Sequence, residues 1–425
     1  MKVILMTLPN EGQTVDYTTA SFHLENKAVR YIPLGILSVA SGISPHHEVQ
    51  ILDSASLGLS INQTLEAIEA FKPDVLGISA VSRRAYAMAE ILRRSNVPWK
   101  VVGGPHVTHY ASETLALGAY AVFRGDGDHN FGAWLDGDHR DGIFDDYIRN
   151  INQVPFPQYE LLKLEDYSIS EEEAPHTLFK RSGTRLSMFS SKGCPYRCVF
   201  CDVQQKRFRC LSASRVVDEM EFLLSRGGNS VHIVDDSFNV RQDRVLGICA
   251  EMKRRGLRLE WSARGRAEID NETAKSLSEA GCRRLHVGIE SLDESVLRWM
   301  NKKLDVETIS EFCHHCRESG IAILGYFMIG SPVGTREYRQ RLPEMIKELR
   351  ISYPYFNLLY PLAHTQYYES LLRDGTFKTD YWQEFAENPV VNYELPLPRP
   401  EELQIELEET LRHYVETFYA EKGKK

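Results

Sequence analysis

Long apolar runs, disulfide density, excess positive charge and repeats are all missing from this 425-residue chain. Its start, Met1-Lys2-Val3-Ile4-Leu5-Met6, is one basic residue and a short apolar run that stops at Pro9-Asn10. That is too short for a signal peptide or a membrane span. Eight cysteines in 425 residues do not make a disulfide framework, and their clustering near Cys194 suits a reducing, cytoplasmic compartment. A net charge of −9 argues against nucleic acid or an anionic membrane as the main partner. We find no solenoid-type repeat and no low-complexity tract. What is present is 43% hydrophobic and 26% charged residues, enough for sizeable cores in two or three domains of about 100–200 residues each.

The most informative feature is Gly193-Cys194-Pro195-Tyr196-Arg197-Cys198-Val199-Phe200-Cys201-Asp202. Cys194, Cys198 and Cys201 are spaced C-x3-C-x2-C, and soft thiolates this close can hold three corners of one [4Fe–4S] cluster. No fourth cysteine follows at comparable spacing, so one iron stays open to an external ligand. The competing reading is zinc with Cys210 as fourth ligand, but its C-x8-C interval is unlike the paired knuckles of ribbon-type zinc sites. The run resembles the signature of the radical S-adenosylmethionine (SAM) enzymes. That resemblance implies an open iron chelated by the amino and carboxylate groups of SAM.

Short β-branched runs at Val3–Leu8, Val49–Leu52, Val75–Ser79, Lys100–Val102 and Ala121–Phe123 read as buried strands. The stretches Pro33–Ser41, Ile61–Phe71, Ala85–Arg94 and Ser112–Leu117 between them read as helices. This alternation predicts an α/β, doubly wound, Rossmann-like parallel sheet over residues 1–155, with ligands at the carboxyl ends of its strands. Those ends carry Pro9–Gly12, Asp53-Ser54, Ser79–Ser82, Gly103-Gly104-Pro105-His106 and Gly125-Asp126-Gly127-Asp128. Glycine pairs there let backbone approach a ligand closely. Together with Pro33-Leu34-Gly35 and Pro73–Ser79, these loops resemble the cobalamin-binding domain that precedes many radical SAM domains. The resemblance implies that Ser79, Ser82, Gly103, Gly104, Pro105, His106, Gly125, Asp126 and Gly127 line a cobalamin site. The chain departs from the pattern in having Asp126 and Asp128 where relatives usually show Glu. The D-x-H-x-x-G signature that supplies a histidine to cobalt elsewhere is absent, so no axial histidine is expected. A domain that keeps this fold without the corrinoid is the alternative.

Residues 156–183 are expected to be a linker, with Val154-Pro155-Phe156-Pro157 extended and Glu171-Glu172-Glu173 a solvated charge run. The polar turn Asp136–Gly142 precedes it. From 184 to 365 a strand–helix pattern recurs, with strands at Leu186–Ser191, Ser230–Val234, Arg258–Ser262, Arg284–Ile289, Ala322–Ile329 and Tyr355–Leu359. Six such units predict a partial (β/α)6 barrel with its site at the carboxyl ends of the strands. There Asp235 or Asp236 is a candidate for the SAM ammonium and Arg266, ahead of Arg264, for a bidentate bond to its carboxylate. Glu290 and Ser291 are candidates for the ribose hydroxyls; Phe200, Ile329 and Gly330 are candidates to pack on adenine. Asp235 and Glu290 read equally well as structural partners at strand ends.

His364 replaces part of a Pro-Gly-Thr turn common in relatives, and is a candidate substrate contact or acid–base group beside the reading of a surface-turn histidine. Cys313-His314-His315-Cys316 lies in a helical run and reads as core packing. Residues 366–425 form an aromatic and helical extension in which Leu403, Leu407, Leu411 and Val415 recur every fourth residue on Glu401–Ala420.

The family resemblance implies a radical SAM enzyme. Its [4Fe–4S] cluster would cleave SAM to a 5′-deoxyadenosyl radical that attacks an unactivated substrate carbon, in the commonest version for methylation from methylcobalamin. Corrinoid-dependent or corrinoid-free oxidation, cyclisation or rearrangement is the runner-up, and a non-catalytic iron–sulfur electron-transfer protein the reading of another class. The implied partners are a small-molecule substrate and an external one-electron reductant such as flavodoxin or ferredoxin, with no nucleic acid and no membrane.

Overall fold

The computed structural model describes residues 1–11, 19–20, 32–137, 139–169, 183–203, 206–391 and 393–422. Gly12, Asp138 and the Glu171–Glu173 run lie outside the described residues. The chain divides into two units, one of Met1–Asp16, Arg30–Tyr167 and Leu372–Leu395, the other of Tyr17–Val29, Ser168–Leu371 and Pro396–Lys425.

In chain order the strands begin with β1 (Lys2–Thr7), β2 (Thr19–Ala20), β3 (Glu48–Asp53), β4 (Val75–Ser79), β5 (Trp99–Gly103), β6 (Ala121–Gly125) and β7 (Gly142–Asp146). All but β2 form the sheet of the first unit, in the order β3-β1-β4-β5-β6-β7 and parallel throughout. Reversal of strand order around β1 and β4 makes it doubly wound, as the alternating pattern predicts. Near-continuous burial along β1 and β4 reflects cover on both faces. One layer packs Met6, Leu76, Ile78 and Val102 against Met88 and Ile91 of the helix Ala85–Arg94. The other packs Val3, Leu5, Val101 and Phe123 against Ile36, Phe131 and Trp134. Strand β7 has no counterpart in the sequence reading because Gly-Ile-Phe-Asp-Asp is an edge strand, with acidic residues and an Ile143 that is 39% exposed.

The second unit holds β8 (Ser168–Ile169), β9 (Gly183–Met188), β10 (Ser191–Lys192), β11 (Arg209–Cys210), β12 (Gly228–Ile233), β13 (Glu260–Arg266), β14 (Cys282–Glu290), β15 (Ala322–Ile329) and β16 (Tyr353–Leu358). Its main sheet runs β2-β16-β15-β14-β13-β12-β9-β8. The six strands from β16 to β9 are parallel, while β2 and β8 close the two edges antiparallel. The expected six strand–helix units are therefore present as an open ladder. Along β15, Ile323, Phe327 and Ile329 are buried while Ala322, Leu324, Tyr326 and Met328 are half-exposed on the other face.

Phe312, Cys313 and Cys316 form the buried stripe of the helix Val306–Glu318, so Cys313–Cys316 is core. Helix Arg336–Glu348 was not expected, since Pro343 lies inside it. Along Pro400–Lys422 the buried positions among the described side chains are Leu403, Glu406, Leu407, Thr410 and Tyr414. A strict four-residue spacing drifts around a helix of 3.6 residues per turn, which moves Leu411 and Val415 to its half-buried flank.

Candidate functional site

The cysteine loop begins at the carboxyl end of β9, and its framework is a buried carboxylate. Asp235 is 0% exposed. Its Oδ1 accepts from the backbone N–H groups of Ser190 (2.7 Å) and Ser191 (3.0 Å), and its Oδ2 from both serine hydroxyls at 2.6 Å. Buried Arg244 completes the knot by donating to the Ser190 carbonyl (2.7 Å), the Ser190 hydroxyl (2.6 Å) and the Phe238 carbonyl (3.0 Å). Asp236 accepts from the N–H of Gly193 at 3.0 Å, directly before Cys194, and burial pushes its carboxyl up. Sequence reasoning named Asp235 and Asp236 but had no signal for Arg244, whose partners are carbonyls and hydroxyls 54 or fewer residues away rather than a motif.

A second set of bonds fixes the loop's far side. Val199 donates to the carbonyl of Met300 (3.0 Å) and accepts from the N–H of Tyr367 (2.8 Å). Asn301 donates to the Arg197 carbonyl at 2.7 Å. Arg266 stacks its guanidinium 3.7 Å from the ring centre of Tyr196, and its Nη2 donates to the Lys302 carbonyl at 2.6 Å. Arg264, on the same strand, is exposed and makes no ion pair among the described residues.

Cys194, Cys198 and Cys201 are free, half-buried thiols. Burial raises Cys194 and lifts Cys201 to about 11, so a bare thiolate there is unfavourable and cationic iron would restore it. Among the described residues, the three sulfurs are not within the mutual 4.8 Å that ligands of one ion keep. A tetrahedral zinc with bonds of about 2.3 Å needs sulfurs about 3.8 Å apart. As placed, the trio does not meet that single-ion spacing.

The remaining candidates for SAM fall into two groups. Glu290 and Ser291 already have partners. Glu290 sits at φ 66°, and its Oε1 accepts from buried Lys302 Nζ at 2.7 Å. Gly288 makes room for that pair, since a Cβ there would stand 2.2 Å from Glu290 Oε1. The Ser291 hydroxyl donates to Tyr338 Oη at 2.9 Å, and burial pushes Tyr338 up to about 12. Gly330 is bare because Leu403 fills the space, 2.3 Å from where a Cβ would be. Ile329 is buried beside it, whereas Phe200 is half-buried in the cysteine loop. His364 lies in a left-handed turn with its Nδ1 3.9 Å from Glu369.

In the first unit, neighbouring β4, β5 and β6 bring Ser79, Ser82, Gly103–His106 and Gly125–Gly127 to the carboxyl end of the sheet. The glycines differ in purpose. A Cβ at Gly104 would lie 2.7 Å from the Ala80 carbonyl, and one at Gly125 would lie 1.9 Å from that of Asp146, so the chain itself fills those spaces. At Gly103 a Cβ would meet the Phe123 carbonyl at 3.5 Å and at Gly127 the Val39 side chain at 3.4 Å, ordinary contact distances, and Gly103 is half-exposed whereas Gly127 is buried. Asp126 is tied down by the N–H of Ile148 at 2.8 Å, and half-exposed Ser79 and exposed Pro105 flank the edge. His106 bonds Ser82 at 3.1 Å through Nδ1, while its buried Nε2 has no partner. Burial lowers His106 to about 4, which keeps the ring neutral. Half-exposed backbone at Gly103 and the unpartnered His106 Nε2 fit a corrinoid, which brings a planar face and polar groups.

The family model of the Radical SAM superfamily matches residues 188–349, and that of the B12 binding domain residues 24–135. An uncharacterized methyltransferase of Pyrococcus horikoshii is 29% identical over 419 residues, covering 91% of this chain and 86% of that protein. The cytidylyl-2-hydroxyethylphosphonate methyltransferase of Streptomyces wedmorensis is 26% identical, covering 76% of this chain and 72% of its own. The structure of a radical SAM methyltransferase from Kitasatospora setae, with cobalamin and a [4Fe-4S] cluster bound, matches in fold with a TM-score of 0.70 at 17% identity, over 97% of this chain and 88% of that one. Among the described residues no helix is long and apolar enough to cross a membrane.

Proposed function

This chain belongs to the radical SAM enzymes that carry a B12-binding domain, and from that premise we propose that it methylates an unactivated carbon of a small-molecule substrate. The observation that carries the reading is the pairing, on one chain, of an incomplete cysteine trio with a parallel sheet whose carboxyl end presents half-exposed Gly103 beside the unpartnered His106 Nε2. When bound, the cluster supplies the electron that cleaves SAM, SAM the group that abstracts hydrogen, and the corrinoid the methyl group. An external one-electron reductant has to feed the cluster.

The chain's own residues bind, orient and exclude. Cys194, Cys198 and Cys201 would hold three irons of a [4Fe–4S] cluster and leave its fourth for SAM. Arg264 is free to take the SAM carboxylate in a bidentate fork, whereas Arg266 steadies the loop through Tyr196. Asp235, Arg244 and Asp236 keep the loop's entry rigid. In the first unit the half-exposed backbone at Gly103 would lie against the corrinoid, and neutral His106 would offer Nε2 to one of its polar groups.

The test is anaerobic. Reconstituted protein should hold about four irons per chain and take up hydroxocobalamin. With SAM and reductant it should form both 5′-deoxyadenosine and S-adenosylhomocysteine, and replacing any of the three cysteines with Ala should remove the former. Formation of 5′-deoxyadenosine without corrinoid uptake or S-adenosylhomocysteine would overturn the methyl-transfer reading.

A further inference from the structure

The first unit carries a second group of metal-type ligands, at the opposite end of its sheet from Gly103 and Gly127. His46 Nε2 lies 3.1 Å and His47 Nε2 2.8 Å from the same atom, Asp136 Oδ1. All three ligand atoms fall within 4.8 Å of one another. We propose that His46, His47 and Asp136 form a zinc site, distinct from the iron–sulfur ligands, that joins the turn before β3 to the end of the helix Asn130–Leu135.

Adjacent side chains on an extended strand point to opposite faces. Here they share one side because Ser44-Pro45-His46-His47 is a tight turn, closed by a 3.1 Å bond from the His47 N–H to the Ser44 carbonyl. Proline at its second position presets the required φ. The rings consequently sit 4.1 Å apart, tilted by 42°. Asp136 reaches them from the residue that caps the helix Asn130–Leu135, where its N–H bonds the Gly132 carbonyl.

The spacing matches a small divalent ion. Zinc bonds of about 2.0–2.1 Å in a tetrahedron put neighbouring ligand atoms about 3.3 Å apart. The observed 3.1 and 2.8 Å need to widen by only a few tenths of an ångström. Two neutral imidazoles and one carboxylate are donors that zinc favours, with a fourth position left to water.

The far nitrogen of His46 also has the partner that a metal-bound histidine needs, the Ser44 hydroxyl at 2.6 Å from its Nδ1. Without zinc, the same groups hold together by hydrogen bonding, and the His47 bond is the main reason Asp136 is held below the usual carboxylate range.

The test uses full-length protein with its cluster reconstituted, so that the cysteines are occupied. Titration with zinc chloride against a chromophoric chelator should show one equivalent bound beyond the iron. His46→Ala and Asp136→Asn, both at exposed positions, should each weaken it more than 100-fold. Ser44→Ala, which removes only an outer hydrogen bond, should weaken it by about 10- to 100-fold. Cobalt(II) should give a visible ligand-field spectrum that disappears in both ligand variants, while iron content and 5′-deoxyadenosine formation stay as in wild type. No zinc uptake, or uptake indifferent to His46→Ala and Asp136→Asn, overturns the proposal and leaves the methyltransferase reading untouched. Loss of SAM cleavage in wild-type protein would instead count against that reading alone.

Discussion

Replacing Asp235 with Asn separates a loop organiser from a SAM ligand. The carboxylate accepts all its bonds from Ser190 and Ser191, and its charge opposes the buried guanidinium of Arg244, which burial otherwise drives toward neutrality. Asparagine can keep the two backbone bonds through its oxygen, but its NH2 group faces both hydroxyls where Oδ2 accepted from them. Hydrogen bonds to a charged group contribute about 1.5–3 kcal/mol each. A buried cation deprived of its counter-charge costs about 3–5 kcal/mol. These effects overlap, so we expect Asp235→Asn to destabilise the second unit by about 3–5 kcal/mol. The assay is anaerobic urea denaturation with iron per chain measured in parallel, followed by SAM affinity on samples matched for iron. The midpoint and iron content should fall, and SAM affinity per loaded cluster should stay within about threefold, well under the 1.4 kcal/mol that a tenfold change represents. An unchanged midpoint and iron content with SAM affinity reduced tenfold or more would refute the scaffold assignment and make Asp235 a ligand.

Further substitutions test the other assignments. Arg264→Lys keeps charge but loses the fork, and should weaken SAM binding by about 10-fold or more at normal iron content; Arg266→Lys should instead lower iron retention by loosening Tyr196, and the reverse pattern would exchange the roles. Gly103→Leu should leave the denaturation midpoint within about 1 kcal/mol and abolish hydroxocobalamin uptake, whereas Gly104→Leu, which meets Ala80 at 2.7 Å and a φ of 94°, should destabilise the first unit; retained uptake in Gly103→Leu would move the corrinoid elsewhere. Folded His106 titrates at about 4 against an ordinary 6.5, so the unfolded chain binds a proton that the folded chain refuses. Stability should then fall as pH drops through that window, with about 2 kcal/mol from this residue already lost at pH 5. His106→Gln should flatten the slope between pH 7 and 5, and equal slopes in both proteins would contradict a buried neutral ring.

Residue order alone determined the α/β class, the strand-and-helix alternation of both sheets and the cysteine trio. These are local patterns: β-branched runs such as Val75–Ser79 need no distant partner to be read, and three thiols within eight residues are neighbours in any fold. Edges and interruptions were harder to read. Strand β7 is acidic and half-exposed, the helix Arg336–Glu348 contains a proline, and the stripe on Pro400–Lys422 follows 3.6 rather than four residues.

Tertiary structure alone decided which polar groups remain available. Asp235, Glu290 and Ser291 stand where strand ends face a site, yet each has its bonds made by Ser190 and Ser191, Lys302 or Tyr338. Four glycines at the carboxyl end of the first sheet look alike in sequence, yet Ala80 and Asp146 fill the space beside Gly104 and Gly125, Gly127 is buried, and Gly103 stays half-exposed. His46 and His47 give no signal by spacing, because their third partner is Asp136, 89 residues beyond His47. Such choices depend on groups brought together across the chain, where a burial penalty is relieved only by a partner in the right place.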